Sequence, residues 1–301
     1  MKEGEDVDNL WIFLILLYGI FKGLREVLKK KTTQKNSVIE VLFFYTLFAF
    51  LMVIPFSRNI FSLSVRAHLV IMFKSFIIFV AWICALNSIK RLPLSIYSIM
   101  DMVRVVFSIL LGVLVLGEEI GITQLIGIAL VIAGITLVNL TSGRKSGEGF
   151  KWQTICLVLA SCVLNSISGM TDKWLLSTDI TDRWFLGTEI VESSQMQFWY
   201  MLYMVMFYFI YILIRRERVN VKECVRSPLI WLMSLLFIVA DRALFIANES
   251  ANSTVVVMTL IKQSSVLVTI ILSKLIFKEK NILLRLLCAL LVIAGIVISV
   301  I

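Results

Sequence analysis

The sequence predicts an all-α integral membrane protein with ten transmembrane helices in two inverted five-helix repeats. Three observations predict this fold: an apolar composition, ten long apolar segments and an internal repeat. Hydrophobic residues make up 59% of the 301 residues and charged residues 16%, with a mean hydropathy of +0.95. Soluble domains carry about 25% charged residues. The composition therefore excludes a water-soluble enzyme, a disordered chain and a disulfide-rich scaffold.

Ten apolar segments approach or reach the length needed to cross a bilayer, which is about 20 residues. The first is the weakest, because its apolar part ends at Phe21 and the helix must continue past Lys22. A lysine near a helix end can extend its side chain to the interface, which permits the crossing. The predicted spans are 9–30, 38–57, 67–88, 94–116, 120–140, 152–172, 195–214, 228–248, 254–277 and 282–301.

The second half of the chain repeats the first at an offset of 161 residues. The string LVIAGI occurs at 130–135 and again at 291–296. The same offset pairs Glu118 with Glu279, and further pairs are Asn87 with Asn248, Leu125 with Leu286 and Phe76 with Phe237. Each half has five spans, and an odd number reverses the direction of the second half. The halves are therefore predicted to be inverted repeats.

The polar, glycine-containing loop at 141–151 is the natural boundary between the repeats. We assign residues 1–145 to the first five-helix repeat and 146–301 to the second. The second repeat contains the one long loop, at 173–194. We expect an ordered surface loop there, and a lid over an external opening is the alternative.

The basic residues indicate how the chain is oriented in the membrane. Loops 1, 3, 5, 7 and 9, counted together with the adjoining basic parts of spans 1 and 10, carry 19 lysines and arginines, whereas the N-terminus and the other loops carry 5. By the positive-inside rule the odd loops are cytoplasmic and both termini are external. The net charge of +9 therefore reflects topology in the cell membrane, and no nucleic-acid partner is expected. The acidic N-terminus does not resemble a cleaved signal peptide.

The repeat motifs resemble those of the drug/metabolite transporter superfamily, specifically its EamA-type members. The matching strings are LVLGEEIGITQLIGIALVIAGITLV at 114–138, LIFKEKNILLRLLCALLVIAGIVISV at 275–300 and ALNSIKRLPLSIYSIM at 85–100. The resemblance implies an EamA-like fold, in which Gly134 and Gly295 let helices approach closely. It also implies export or exchange of small metabolites. Members of the superfamily usually have both termini in the cytoplasm, opposite to the orientation that the charges predict here.

Polar residues inside the spans indicate the path of the substrate, because an ionised group at the bilayer centre costs about 2.5–3.5 kcal/mol. Spans 3, 4, 6, 8 and 9 carry nearly all of them, with Lys22 in span 1 a borderline addition. Several follow helical spacing and share one face of their helix. The predicted substrate-binding residues are Lys74, Trp82, Tyr97, Asp101, Arg104, Asn165, Ser168, Asp241, Arg242, Lys262 and Gln263.

Asp101 and Lys262 occupy equivalent positions in the two halves and are candidates for one ion pair across the pseudo-twofold axis. Arg104, one turn from Asp101, is the alternative partner. Four deep cations (Lys74, Arg104, Arg242 and Lys262) face two deep anions (Asp101 and Asp241). The excess positive charge predicts a small-molecule substrate with a carboxylate or phosphate group, moved by alternating access.

Two other functions remain open from the sequence. A free carboxylate with an aromatic cage would suit an organic cation or an amino acid, and the cage candidates are Trp82, Tyr97, Trp174, Tyr200 and Tyr203. Basic groups beside a lateral opening would suit a lipid or polyprenyl-phosphate flippase. The protein is expected to be a monomer or homodimer whose partners are the substrate and the lipid bilayer.

Enzymatic chemistry is not expected. His68 is the only histidine, and the sequence contains no H-E-x-x-H, G-x-S-x-G or P-loop motif. No catalytic residue, metal site or cofactor is therefore predicted. The five cysteines are interpreted as packing residues, because four lie in or beside apolar segments and none forms a C-x-x-C pair.

Overall fold

The computed structural model describes residues 10–57, 60–116, 122–123, 125–127, 129–130, 132–134, 137, 152–176, 190–217, 219–250, 258, 261–279 and 282–298. Every regular element in these residues is a helix. The helices are α1 (Leu10–Thr33), α2 (Val38–Val53, followed by the 3₁₀ turn Ile54–Phe56), α3 (Val65–Arg91), α4 (Leu94–Asp101), α5 (Val103–Leu116), α6 (Trp152–Leu176), α7 (Ser193–Arg215), α8 (Val221–Arg226), α9 (Pro228–Glu249), α10 (Ser264–Phe277) and α11 (Ile282–Ile298).

Within the part of the chain that the structure describes, five helices are long and apolar enough to cross a membrane by length and composition. They are Val38–Phe56, Val65–Arg91, Trp152–Leu176, Ser193–Arg215 and Pro228–Glu249. Helices α10 and α11 are apolar but shorter. Helix α1 has 24 residues, yet its second half carries several charged side chains. The chain is therefore a multi-pass membrane protein in which α1 is the exceptional helix.

Local signals fix the start of α2. Ser37 and Glu40 form a capping box, in which the Ser37 hydroxyl accepts from the Glu40 N–H and the Glu40 carboxylate accepts from the Ser37 N–H. Glu40 also accepts from the Asn220 N–H at 2.8 Å, which ties α2 to the start of α8. Burial, with a smaller contribution from nearby Glu40, raises the pKa of the Cys224 thiol to about 11. That thiol therefore behaves as a packing residue, as the sequence predicts.

Two glycines one turn apart let α1 lie directly against α10. A Cβ on Gly23 would stand 2.7 Å from the Ser265 carbonyl oxygen and 2.8 Å from the Val268 Cβ, closer than real contacts allow. A Cβ on Gly19 would collide with the Ser264 hydroxyl oxygen. Gly-x-x-x-Gly stripes of this kind let two helix backbones approach in a membrane. Helix α1 packs on α9 along its other side, and it therefore lies at the centre of the molecule.

The helices of spans 4 and 9 each contain one tight, 3₁₀-like turn at equivalent residues. Met102, between α4 and α5, has φ −67° and ψ −17°, and Gln263, before α10, has φ −69° and ψ −13°, so both keep right-handed helical backbone. Each tight turn is followed by a hydrogen bond between residues three apart, Val105 N–H to the Met102 oxygen at 3.0 Å and Val266 N–H to the Gln263 oxygen at 2.9 Å. The offset of 161 residues relates both tight turns and both bonds.

Helix α6 contacts the tight turn at Met102 in the same way as α1 contacts the tight turn at Gln263. Ser166 donates its hydroxyl to the Arg104 carbonyl at 3.0 Å, and the equivalent carbonyl, that of Ser265, is the one that Gly23 leaves room for. The thiol of Cys162 lies 3.7 Å from the Asp101 carbonyl oxygen. Side chains inserted against a helix backbone are a recognised cause of local distortion. The Cys162 and Ser166 side chains of α6 therefore contact the turn at Met102, whereas the glycines of α1 contact the turn at Gln263.

Lysines stabilise the carboxyl ends of two equivalent helices. Lys30, at the end of α1, donates to the carbonyls of Ile89 and Leu92 at the end of α3. Lys173 donates to the carbonyls of Asn248 and Ser250 at the end of α9, at 3.4 and 3.1 Å. The negative end of a helix dipole favours a cation in this position.

Most of the long loop predicted at 173–194 lies outside the described residues, although Val191 donates its N–H to the Leu175 carbonyl.

The glycine stripe generates a stability prediction. Replacement of Gly23 by alanine should lower the melting temperature of the detergent-purified protein, because overpacking of this kind costs about 1–3 kcal/mol. The control is Gly169→Ala on α6, where an added Cβ meets no atom within 4 Å. That control should raise stability by about 0.5–1 kcal/mol, since alanine is the better helix residue. Equal shifts for the two variants, measured by thermal unfolding, would contradict the close packing of α1 on α10.

Candidate substrate-binding site

A stripe of polar side chains on α1 lies inside the protein. Tyr18, Lys22, Arg25 and Lys29 follow at steps of four, three and four residues and share one helical face. All four are buried, as is Glu26 beside them. The sequence indicated only Lys22, as a borderline residue. The detectable signal was the spacing, which matches that of Ser161, Asn165, Ser168 and Asp172 on α6.

Asp101 joins two cations at the end of α4. Its carboxylate accepts from Arg104 at 2.6 and 2.7 Å and lies 3.3 Å from the Lys22 ammonium. The i+3 pairing with Arg104 that the sequence offered as an alternative is therefore present. The cross-axis pair with Lys262 is wrong for this structure, because Lys22 reaches Asp101 from α1 and occupies that direction.

Lys262 instead lies over an aromatic ring of α1. Its ammonium is 5.8 Å from the centroid of the Tyr18 ring, a distance at which cation–π attraction is effective. Its side chain is half-buried. No carboxylate pairs with Lys262 among the described residues. Lys262 therefore contributes positive charge to the interior without neutralisation by a direct partner.

Two further ion pairs involve α1, one that joins it to α9 and one within α1 itself. The Arg25 guanidinium lies 3.6 Å from the Asp241 carboxylate of α9 and 4.8 Å from the Phe237 ring. Lys29 donates to Glu26 at 2.8 Å, one turn earlier on α1, and lies 5.3 Å from the Trp82 ring. Both cations thus have one carboxylate and one aromatic face as neighbours, which compensates part of the cost of removing them from water.

Lys74 on α3 and Asp172 on α6 form a separate buried ion pair. Lys74 is 2% exposed, and its ammonium lies 4.2 Å from the Tyr200 ring and 5.1 Å from the Phe245 ring. The polarity of this pair is opposite to that of Arg25 and Asp241. In one pair α1 supplies the cation, and in the other α6, the equivalent helix, supplies the anion.

The described cluster has a positive excess. Six cations face four anions, which leaves two positive charges. The cations are Lys22, Arg25, Lys29, Lys74, Arg104 and Lys262, and the anions are Glu26, Asp101, Asp172 and Asp241. A small cavity, with room for about one water molecule, lies at the Lys22 and Asp101 side of this cluster, between α1, α4 and α10. It is lined by Lys22, Glu26, Tyr97, Ser98, Asp101, Ser265, Val266 and Thr269.

The remaining predicted site residues lie at different depths. Trp82, Gln263 and Ser168 are buried inside the protein. Asn165 is half-buried and donates to the Ser161 carbonyl of its own helix at 2.6 Å. Arg242 is half-buried beside Asp241. Lys22, Tyr97 and Asp101 line the small cavity. Lys74 is instead paired with Asp172. The predicted residues therefore form two groups.

One end of the cluster is closed by a contact between the two halves of the sequence. Glu279, which follows α10, accepts from the Leu94 N–H at 2.7 Å and from the Ser95 hydroxyl at the start of α4. Arg285 of α11 contacts Glu279 at 2.6 Å and also donates to Ser95. A carboxylate at a helix N-terminus satisfies free N–H groups and the helix dipole. Its repeat equivalent, Glu118, lies outside the described residues.

The described residues hold no group of three or more histidine, cysteine or acidic side chains arranged to bind a metal ion. The five cysteines are free. His68 lies 3.1 Å from the Tyr203 hydroxyl and packs edge-on against Trp199. The buried charges of the cluster can bind other charged groups in a site largely removed from water.

Comparisons with known proteins agree with this architecture. Residues 9–140 match the model of the EamA-like transporter family. A solved structure titled "Crystal structure of protein" is 12% identical, covers 98% of this chain and 96% of its own, and superposes with a TM-score of 0.64. At that identity the likeness shows the fold alone. No curated protein matches the chain.

The pair of Lys74 and Asp172 can be tested by its stability. Replacing Lys74 with methionine leaves Asp172 buried without its cation, and this should cost about 3–5 kcal/mol of unfolding free energy. The double variant Lys74→Met/Asp172→Leu should recover most of that loss. Lys90→Met, at an exposed position on the same helix, is the control and should unfold like the wild type. A double variant as unstable as the single one would argue against the pair.

Proposed function

Because residues 9–140 match the model of the EamA-like transporter family, part of the drug/metabolite transporter superfamily, we propose a secondary transporter. It moves a small polar metabolite with a carboxylate or phosphate group across the cell membrane by alternating access. The observation that carries the anionic selectivity is the excess of two positive charges in the buried cluster. An anionic group entering the cluster completes its neutralisation, which an ion left in a low-dielectric interior requires.

The aromatic residues support an anion over an organic cation. Trp82 and Tyr200, two members of the predicted cage, already lie under cations of the protein itself, Lys29 and Lys74. A quaternary amine would have to displace an ammonium group from each ring. The carboxylates that a cationic substrate would need, Asp101 and Asp241, are likewise beside Arg104 and Arg25. The structure thus offers donors for an anion more readily than acceptors for a cation.

We further propose ten spans in two inverted repeats, 1–145 and 146–301, with both termini external. The matched tight turns at Met102 and Gln263 support this arrangement, because the same offset of 161 residues relates them, as two copies of one repeat require. Each tight turn follows directly after a charged residue, Asp101 or Lys262. The halves would rock about this level, and the loop at 173–194 would cover the external side. The transporter acts as a monomer or homodimer.

The proposed function predicts selective binding of anions that depends on Lys262. Millimolar carboxylates or phosphates should stabilise the purified protein, because ligand binding raises stability by mass action. Lys262→Gln should weaken the affinity about tenfold, since a hydrogen bond to a charged group is worth about 1.5–3 kcal/mol. Lys274→Gln, an exposed position on α10, is the matched control and should bind like the wild type. Thermal-shift titration is the measurement.

Transport itself is checked by uptake of the stabilising anion into proteoliposomes. The wild-type protein should mediate counterflow of that anion, and the Lys262→Gln variant should need about tenfold more substrate for the same rate. Stabilisation by amines alone, lost in Asp101→Asn, would replace the anion with a cationic substrate. Absence of substrate-dependent flux across metabolite pools would contradict the transporter function.

A further inference from the structure

Arg25 keeps two hydrogen-bond donors unused inside the protein. Its Nε and Nη1 atoms are buried and have no acceptor among the described residues. The Asp241 carboxylate lies 3.6 Å from Nη1, which is close enough to balance charge but too far for a hydrogen bond. Nε shares one edge of the planar guanidinium with Nη2, and that edge is the fork with which arginine binds carboxylates and phosphates through two parallel bonds. Nη1 lies on the other side of the group, toward Asp241.

The Tyr45 hydroxyl is a second unused donor, and the ring that carries it packs against Phe237, as Arg25 does. Tyr45 is fully buried, and its hydroxyl has no partner among the described residues. The Tyr45 ring lies 4.9 Å from Phe237, whose face also carries Arg25 at 4.8 Å. Two helices, α1 and α2, therefore bring three free donor atoms to one aromatic residue of α9.

Buried donors without acceptors are rare, and each costs about 1–3 kcal/mol when left unmade. Three such atoms around one ring indicate that an acceptor with several oxygens belongs there. We propose that Arg25 and Tyr45 form the subsite that binds the oxyanion of the transported substrate. This subsite lies outside the residues that the sequence indicated, and it rests on the proposed function as an anion transporter.

The surroundings specify the chemistry of the ligand. Phe237 and Trp82 form an apolar wall with their rings 5.2 Å apart, and they exclude water from the fork. Lys29, above the Trp82 ring, adds positive charge. A carboxylate or phosphate accepts two bonds from Arg25 and one from Tyr45. Asp241 then competes with the ligand for Arg25, so it weakens binding and permits release.

Substitution of the tyrosine gives the sharpest test. Tyr45→Phe removes one oxygen atom and keeps the packing, and it should weaken binding of inorganic phosphate or acetate about tenfold. Tyr208→Phe is the matched control. Tyr208 is also fully buried with an unpartnered hydroxyl, but it packs against Phe79 of α3. The control should bind both probes like the wild type.

Two charge variants separate the fork from simple charge. Arg25→Lys keeps the positive charge and loses the planar fork, so phosphate affinity should fall tenfold or more. Asp241→Asn removes the competing carboxylate, and phosphate affinity should rise several-fold. A cation site would show the opposite response, because Asp241 would then be its ligand. Dihexanoyl phosphatidic acid tests whether a lipid headgroup, rather than a soluble anion, is the source of the oxyanion.

The affinities are measured by titration of the full-length, detergent-purified protein with thermal unfolding and calorimetric readouts. Weaker binding by Tyr45→Phe and Arg25→Lys, with Tyr208→Phe unchanged, supports the subsite. Wild-type affinity in Tyr45→Phe overturns the subsite but leaves anion transport standing if Lys262→Gln still weakens binding. Binding of phosphatidic acid alone overturns the soluble anion. If no probe binds the wild type, the subsite and the anionic selectivity both fail.

Discussion

The charges of α1 are the constraint on which the rest of the structure depends. Lys22, Arg25 and Lys29 lie on the helix that packs between α9 and α10, where each buried ion is costly without an opposite charge nearby. Their partners come from α4, α9 and α1 itself. These pairs fix the rotation of α1 about its axis, and they gather carboxylates around an excess of cations. A buried ion pair is seldom the most stable filling for a core, so its retention indicates a role in binding.

Backbone packing and charge meet at the same level of the molecule. The glycines of α1 face the tight turn before α10, and the small polar side chains of α6 face the tight turn after α4. Each tight turn lies beside a charged residue, Asp101 or Lys262. The proposed alternating access requires that occupancy of the site be linked to movement of the two halves, and these two turns are where we place that link.

Much of the helical framework follows from the sequence, and the pairings within the site do not. Apolar length correctly placed helices in the predicted segments that the structure describes, whereas part of the predicted span 120–140 lies outside the described residues. Helical spacing identified the polar faces of spans 4 and 6. The polar stripe on α1 was missed because its charges made the span look weak, although those charges belong to the cluster that we propose as the site. The partner of Asp101 depends on which helix approaches it, which spacing along one helix cannot specify. No proline or glycine lies beside Met102, so the residue types there do not predict the tight turn.

The most direct test of the account is a structure of the protein with bound tungstate, a phosphate analogue that scatters anomalously. The account predicts an anomalous peak in the interior, among the cations of α1 and within hydrogen-bond distance of Arg25. That peak should disappear when the same experiment is performed on Arg25→Lys. Tungstate bound only at the basic loops on the surface, with an empty cluster inside, would contradict the central claim that the buried charges receive an anionic substrate.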